Sequence, residues 1–259
     1  MPEWQERITR ETRPALRVEH ELRYAAAAAL IRGASAWVDL GCGDGVATVA
    51  ALGDERPARA LLVDSAAGAL EQAARMIPSA ELLEADLATA AGHDAVRTAL
   101  GDARGGVATC FELIAQLERF AGLVELLVEL AAERRFTVVL SVPNDAFWPL
   151  ESPWHATTWG EGSFEELRRL LPADHVVAHQ IPLQGSAIAP VRDAPAGPPP
   201  IAARDDAVPS HFLAAFGPRC RELGARSAVV QADLAEERRW VRQREASLAL
   251  YEDRLQLRP

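Results

Sequence analysis

Four acids stand at or near the ends of four short apolar runs: Asp39, Asp64, Asp86 and Glu112. The first is followed by Gly41-Cys42-Gly43-Asp44-Gly45, three glycines at alternate positions. Glycines spaced this way let the backbone turn tightly after a buried strand and come close to a ligand, because no Cβ intervenes. Asp64, with Ser65 beside it, lies 23 positions after Gly41. A carboxylate there can accept two charge-assisted hydrogen bonds from ribose hydroxyls. Asp86 can accept from an adenine amino group while the Leu87 backbone reads a ring nitrogen. Phe111 and Glu112 close the fourth run, where an acid also suits a helix start. Together these groups have the chemistry of a nucleoside site.

The elements that must position them follow from the spacing. Short apolar runs alternate with helical patterns from Ala36 to about Leu183, which predicts a mostly parallel sheet covered on both faces by helices. Strands are expected at Trp37–Leu40, Ala60–Val63, Glu81–Glu84, Val107–Phe111, Thr137–Val142, Val176–Ile181 and Ser210–Phe216, seven in all, the last an inserted antiparallel partner. Helices are expected at Val46–Leu52, Ala67–Met76, His93–Leu100, Phe120–Glu133 and Ser163–Leu171, after an opening helix from Pro14 to Ile31. Such a sheet binds ligands at the carboxyl ends of its strands, beside the point where strand order reverses. The fold class is thus α/β and Rossmann-like, with three parts: an N-terminal helical lid over 1–35, a binding domain over 36–217 with a Pro-rich loop at 193–209, and a helical appendage over 218–259.

Composition narrows the function. The chain has 259 residues, 49% hydrophobic and 25% charged, and a net charge of −10. That balance argues against nucleic acid, which demands clustered cations. All basic residues are Arg, so a lysine Schiff base or lysine general base is excluded. Cys42, Cys110 and Cys220 are far apart and odd in number, which favours reduced thiols in a cytoplasm. The apolar run Ala25–Ile31 is too short to span a bilayer, so a soluble cytoplasmic protein is expected, with no membrane partner. Leu234, Val241, Leu248 and Leu255 are spaced by seven on the C-terminal helix. Either that helix lies on its own domain or it forms the seam of a homodimer.

The nicotinamide fingerprint needs a third glycine where Val46 stands. What remains, Asp-x-Gly-x-Gly-x-Gly, resembles motif I of the class I S-adenosylmethionine (SAM) methyltransferases. The resemblance extends to a subfamily associated with glycan, lipopolysaccharide and sugar-modifying biosynthesis. It rests on Glu19-His20-Glu21-Leu22-Arg23-Tyr24, on Phe111-Glu112 through Gln116-Leu117, on Ser141-Val142-Pro143-Asn144, and on Ser152-Pro153-Trp154-His155 ahead of Ser163-Phe164-Glu165-Glu166-Leu167. It covers about residues 17 to 185. Gln116 replaces a usual His, Ser152 a usual Asn, and an acid expected just after His155 is absent.

The resemblance implies a bound SAM, with S-adenosylhomocysteine (SAH) as product. The site would be made by Asp39, Gly41, Cys42, Gly43, Asp64, Ser65, Asp86, Leu87, Phe111 and Glu112. The opening helix would fold over it, with Arg23 or Tyr24 near the methionine carboxylate. An Arg fork matches a carboxylate well, and an ion pair with Glu19 is the alternative.

Methyl transfer is an in-line displacement, so the protein positions two reactants and removes a proton if the nucleophile is an alcohol. His is the natural base. His155 is the first candidate, in an aromatic loop after the fifth strand, and His20 the second. Trp148, Trp154 and Trp159 suggest a stacking surface for a sugar ring or another flat substrate, or else core. His175 and His179 share a strand face, but no third metal ligand is evident. Asp145 and Glu151 with His155 could hold Mg²⁺, although nothing in the spacing demands it, so no metal is expected.

The expected function is therefore methyl transfer from SAM to a small-molecule acceptor, an oxygen of a sugar, glycan precursor or glycosylated natural product. The alternatives are a catalytically silent SAM-binding scaffold, or a nicotinamide-dependent reductase, which the absence of a Tyr-x-x-x-Lys pair disfavours.

Overall fold

A computed structural model describes residues 12, 14–53, 55–57, 59–147, 156–182 and 208–226. The C-terminal helix with its seven-residue spacing, and the Pro-rich stretch up to residue 207, lie outside the described residues.

Seven strands form one sheet: β1 (Trp37–Leu40), β2 (Ala60–Asp64), β3 (Glu81–Glu84), β4 (Val107–Phe111), β5 (Thr137–Pro143), β6 (His175–Gln180) and β7 (His211–Phe216). Their order is β3-β2-β1-β4-β5-β7-β6. The first five run parallel, and β7 pairs antiparallel with both β5 and β6. Order reverses between β1 and β4, so their carboxyl ends part there and leave a crevice.

The described helices are α1 (Pro14–Arg32), α2 (Val46–Leu52), α3 (Ala67–Met76), α4 (Ala90–Leu100), α5 (Ala121–Arg134) and α6 (Glu161–Leu170). Side chains alternate faces along a strand, and the core divides accordingly. Val38, Leu40, Leu61, Val63, Val138 and Leu140 pack with Val96 of α4, Leu127 of α5 and Phe164 of α6. Trp37, Leu62, Val107 and Val139 pack on the other face with Leu30 and Ile31 of α1, Ala47 of α2 and Ala73 of α3. The opening helix is thus one wall of the core, fully burying Ala27, Leu30 and Ile31.

Two local differences from the sequence reading bear on the site. Helix α4 begins at Ala90 instead of His93, because Thr89 caps it, its Oγ1 accepting from Gly92 N at 3.1 Å. A short 3₁₀ turn, Ile114–Gln116, follows β4 and was not expected. No described helix is long and apolar enough to cross a membrane.

Candidate active site

One cleft of about 230 Å³ opens at the carboxyl ends of β1, β2, β3 and β4. Its floor is the glycine turn, with Gly41, Cys42 and Gly43. Gly41 and Gly43 take φ of 80° and 56°, the left-handed region that glycine enters at least cost. A Cβ built on Gly43 would meet no protein atom within 4 Å, so the backbone there faces open cleft.

Asp64 and Ser65 at the end of β2, and Asp86 and Leu87 after β3, form one wall. Asp64 Oδ2 accepts from Gly43 N at 3.0 Å and Oδ1 from Ala66 N at 2.9 Å, so the acid also staples β2 to the turn. Asp86 Oδ1 accepts from Ala88 N at 2.9 Å. Helix α4 passes so close behind it that a Cβ on Gly92 would lie 2.1 Å from Asp86 O. Phe111, Glu112, Leu113, Gln116 and Leu117 form the opposite wall, and His20 and Tyr24 of α1 complete it.

Two residues expected to touch the ligand do not line this cleft. Asp39 is wholly buried, because β-strand alternation turns it to the same face as Trp37, toward α1 and α2. Its Oδ2 accepts from Tyr24 Oη at 2.9 Å and from Thr48 Oγ1 at 3.4 Å, and its Oδ1 accepts from Thr109 Oγ1 at 2.7 Å. Thr109 Oγ1 in turn accepts from Trp37 Nε1. Burial nonetheless pushes the Asp39 carboxyl up to about 6, against the pull of those three hydroxyl donors. Arg23 is 1% exposed. Its Nη1 donates to Gln180 Oε1 at 2.8 Å and its Nη2 lies 4.0 Å from Glu112 Oε1, while Nε and Nη2 carry no hydrogen bond. A buried guanidinium needs an anion nearby. Glu112 supplies it, and the alternative pairing with Glu19 on the same helix is not the one formed.

Glu112 adopts φ of 61°, unusual for a residue with a side chain. Its Oε1 accepts from Ser141 Oγ at 2.6 Å, and its Oε2 lies 3.4 Å from His211 Nε2. Burial alone would raise Glu112, yet His211, Arg23 and His20 hold it well below the ordinary carboxylate range. Burial, and then the Arg23 charge, hold His20 well below the ordinary imidazole value, so it is neutral at pH 7. His211, Glu19 and Ser141 belong to this cluster; the residue spacing offers Glu19 only as a partner for Arg23, and gives His211 and Ser141 no role.

Trp159 is core rather than a stacking surface. It is 2% exposed, leans on Phe120 at 5.4 Å between ring centroids, and donates through Nε1 to Thr157 Oγ1. Its indole packs where α6 starts, between sheet and helix, so no ring face is left for substrate. Trp148, Trp154, Glu151 and His155 lie outside the described residues. Ala156 N–H donates to Ala115 O at 2.9 Å, next to the cleft residue Gln116. His175 bonds Pro172 O and Arg168, and His179 leans edge-on against Phe212. Asp145 Oδ2 accepts from Trp159 N. Among the described residues no group of three His, Cys, Asp or Glu is placed to hold a metal ion.

The sequence matches no family model and no curated protein. Solved structures do resemble it. They include the small RNA methyltransferase HEN1 (TM-score 0.52, 18% identical, 82% of this chain and 27% of that one). The methyltransferase domain of bacterial CtHen1-CN gives TM-score 0.51 and 18% identity over 77% of this chain and 99% of that one. A SAM-dependent methyltransferase from Archaeoglobus fulgidus gives TM-score 0.51 and 13% identity over 77% and 93%. The chain therefore spans 27% of the HEN1 chain but nearly all of the other two. The fold is that of the SAM-dependent methyltransferases, a Rossmann-like α/β sheet with an antiparallel seventh strand.

Proposed function

We propose that the protein binds SAM in this cleft and transfers its methyl group to an oxygen of a small-molecule acceptor: a sugar, glycan precursor or glycosylated natural product. The observation that carries this reading is the convergence of Asp64, Asp86 and the open face of Gly43 on one cleft whose far wall is Phe111 and Glu112. A carboxylate accepts up to four hydrogen bonds. The backbone contacts of Asp64 are therefore compatible with a ribose diol. The cleft also suits a cation, since Asp44, Asp64, Asp86 and Glu112 all line it, and a dinucleotide pyrophosphate would meet those charges unfavourably. SAM supplies an activated methyl on a sulfonium centre.

The chain's own residues then have defined tasks. Asp64 and Asp86 hold the nucleoside, the glycine turn lets its backbone approach, and Glu112 faces the positive amino-acid end. His20 lines the cleft in its neutral form, so its lone pair can take the acceptor's hydroxyl proton. His155, next in sequence to the anchored Ala156, is the other proposed base. A nucleic-acid acceptor is the competing reading, since HEN1 is a small RNA methyltransferase; the net charge of −10 disfavours it. Calorimetry with SAM, SAH and NAD(P) tests the cofactor. SAH release with nucleotide sugars, glycosides and RNA oligonucleotides tests the acceptor. Binding of NAD(P) instead of SAM would overturn the proposal, and SAM binding without turnover on any acceptor would favour a silent scaffold.

A further inference from the structure

His211 is the first residue of β7, and β7 runs antiparallel to β5. An antiparallel insertion reverses the usual logic of the sheet, because its first residue, not its last, reaches the carboxyl edge where the cleft lies. His211 sits there in register with Pro143 of β5 on one side and Gln180 of β6 on the other.

The imidazole is buried between two acids and a hydroxyl. Nε2 lies 3.4 Å from Glu112 Oε2, Nδ1 lies 2.9 Å from Ser210 Oγ, and Glu19 Oε2 is 3.8 Å from Nδ1. An ionised carboxylate is an acceptor only. Nε2 must therefore carry a hydrogen and donate it to Glu112. Ser141 takes the other carboxylate oxygen. Glu112 also sits in a left-handed backbone conformation, which is strained for a residue with a side chain and persists only where the surroundings over-determine it. The Ser141 hydroxyl and the His211 ring are such surroundings: together they aim a strained, charged side chain at the wall of the cleft.

We infer that His211 is a positioning residue: it holds the Glu112 carboxylate toward the amino-acid end of the bound sulfonium nucleoside, where the ligand's ammonium group lies. This rests on the SAM-binding reading above and assigns the far end of the same cleft. The adenosine end is held by Asp64 at the end of β2 and Asp86 just after β3, whereas His211 pairs with β5 and β6. Loss of the His211 contact should therefore weaken ligands that carry the amino-acid tail and spare those that lack it.

The test compares SAH with 5′-methylthioadenosine, which has the nucleoside and sulfur but no amino-acid tail, by calorimetry on the full chain. In His211→Asn the side chain keeps a polar group for Ser210 but is too short to reach Glu112. SAH affinity should fall roughly tenfold or more, the range for a lost bond to a charged group, with methylthioadenosine affinity unchanged. His211→Gln, which can extend an amide donor to Glu112, should restore SAH affinity to within about threefold. His211→Asn combined with Glu112→Gln should be no worse than Glu112→Gln alone, because the two act through one contact. Equal loss of both ligands, additive losses in the double variant, or no rescue by Gln would each overturn the inference while leaving the cofactor reading intact. If the unaltered chain binds neither ligand, the cofactor reading itself falls, and the inference with it.

Discussion

Tyr24 Oη donates to Asp39 Oδ2 at 2.9 Å, fastening α1 to the carboxylate that precedes the glycine turn. Burial, and then the neighbouring Asp39 charge, push the Tyr24 hydroxyl well above its ordinary value, so it remains the donor. Its ring meets Phe111 edge-on at 4.9 Å, which ties the same helix to the end of β4. Tyr24→Phe keeps the ring contact and removes one of three donors to a buried acid. It should cost about 1–3 kcal/mol of stability, read by urea unfolding. A loss under about 0.5 kcal/mol would mean the bond carries no net weight.

Asp39 also gives the protein a specific pH response. Its folded value of about 6 lies above the ordinary 3.8, so between those values the folded protein holds a proton that the unfolded chain has lost. The sign follows: this group's contribution is greatest below pH about 4 and declines as pH rises through about 6, by roughly 3 kcal/mol in all. Unfolding free energies of wild type minus those of Asp39→Asn should show that decline over the same window. A pH-independent difference would show that Asp39 titrates normally.

Asp64→Asn halves the accepting capacity at the end of β2. SAH should bind more weakly by roughly 1.5–3 kcal/mol, measured by calorimetry, with a smaller loss of stability from the weakened Gly43 contact. Unchanged affinity would remove Asp64 from the nucleoside site.

Gly43 and Gly92 separate binding from architecture. A methyl on Gly43 meets open cleft, so Gly43→Ala should cost only about 1–2 kcal/mol for its left-handed backbone while obstructing the ligand. Gly92→Ala drives a methyl into the Asp86 carbonyl and should lower the melting temperature by several degrees. Normal SAH affinity in Gly43→Ala would mean the ligand does not approach the turn.

His20→Gln should lower turnover by about 10²–10⁴ with SAH affinity retained, if His20 is the base. His155→Ala measured beside it ranks the two candidates. A loss under tenfold in the His20 variant, with the fold intact, would pass the role to His155.

The strand ends were legible because each carries two independent signals, an apolar run and a terminal acid. Val107–Phe111 and Val46–Leu52 agree with the structure residue for residue. The first turn of α4 was missed because Ala90-Ala91-Gly92 has no apolar periodicity, although Thr89 before it is a recognisable cap. Asp39 read as a ligand group because it stands at a strand end like Asp64. Strand alternation alone would have turned it to the face of Trp37, but which face the cleft opens on is not written in local spacing. Trp159 looked like part of an aromatic surface for the same reason.

Local sequence by itself determined the αβ alternation, the left-handed glycine turn and the acids that follow β2 and β3, because those depend on side-chain size, backbone freedom and period within a few residues. Only the tertiary structure decided that Arg23 and His211 meet the Glu112 carboxylate in one buried cluster. They lie 89 and 99 positions from it along the chain. The antiparallel insertion of β7 brings His211 against Glu112 at the carboxyl edge of the sheet, and in a low-dielectric interior the buried Glu112 carboxylate must be met by such partners.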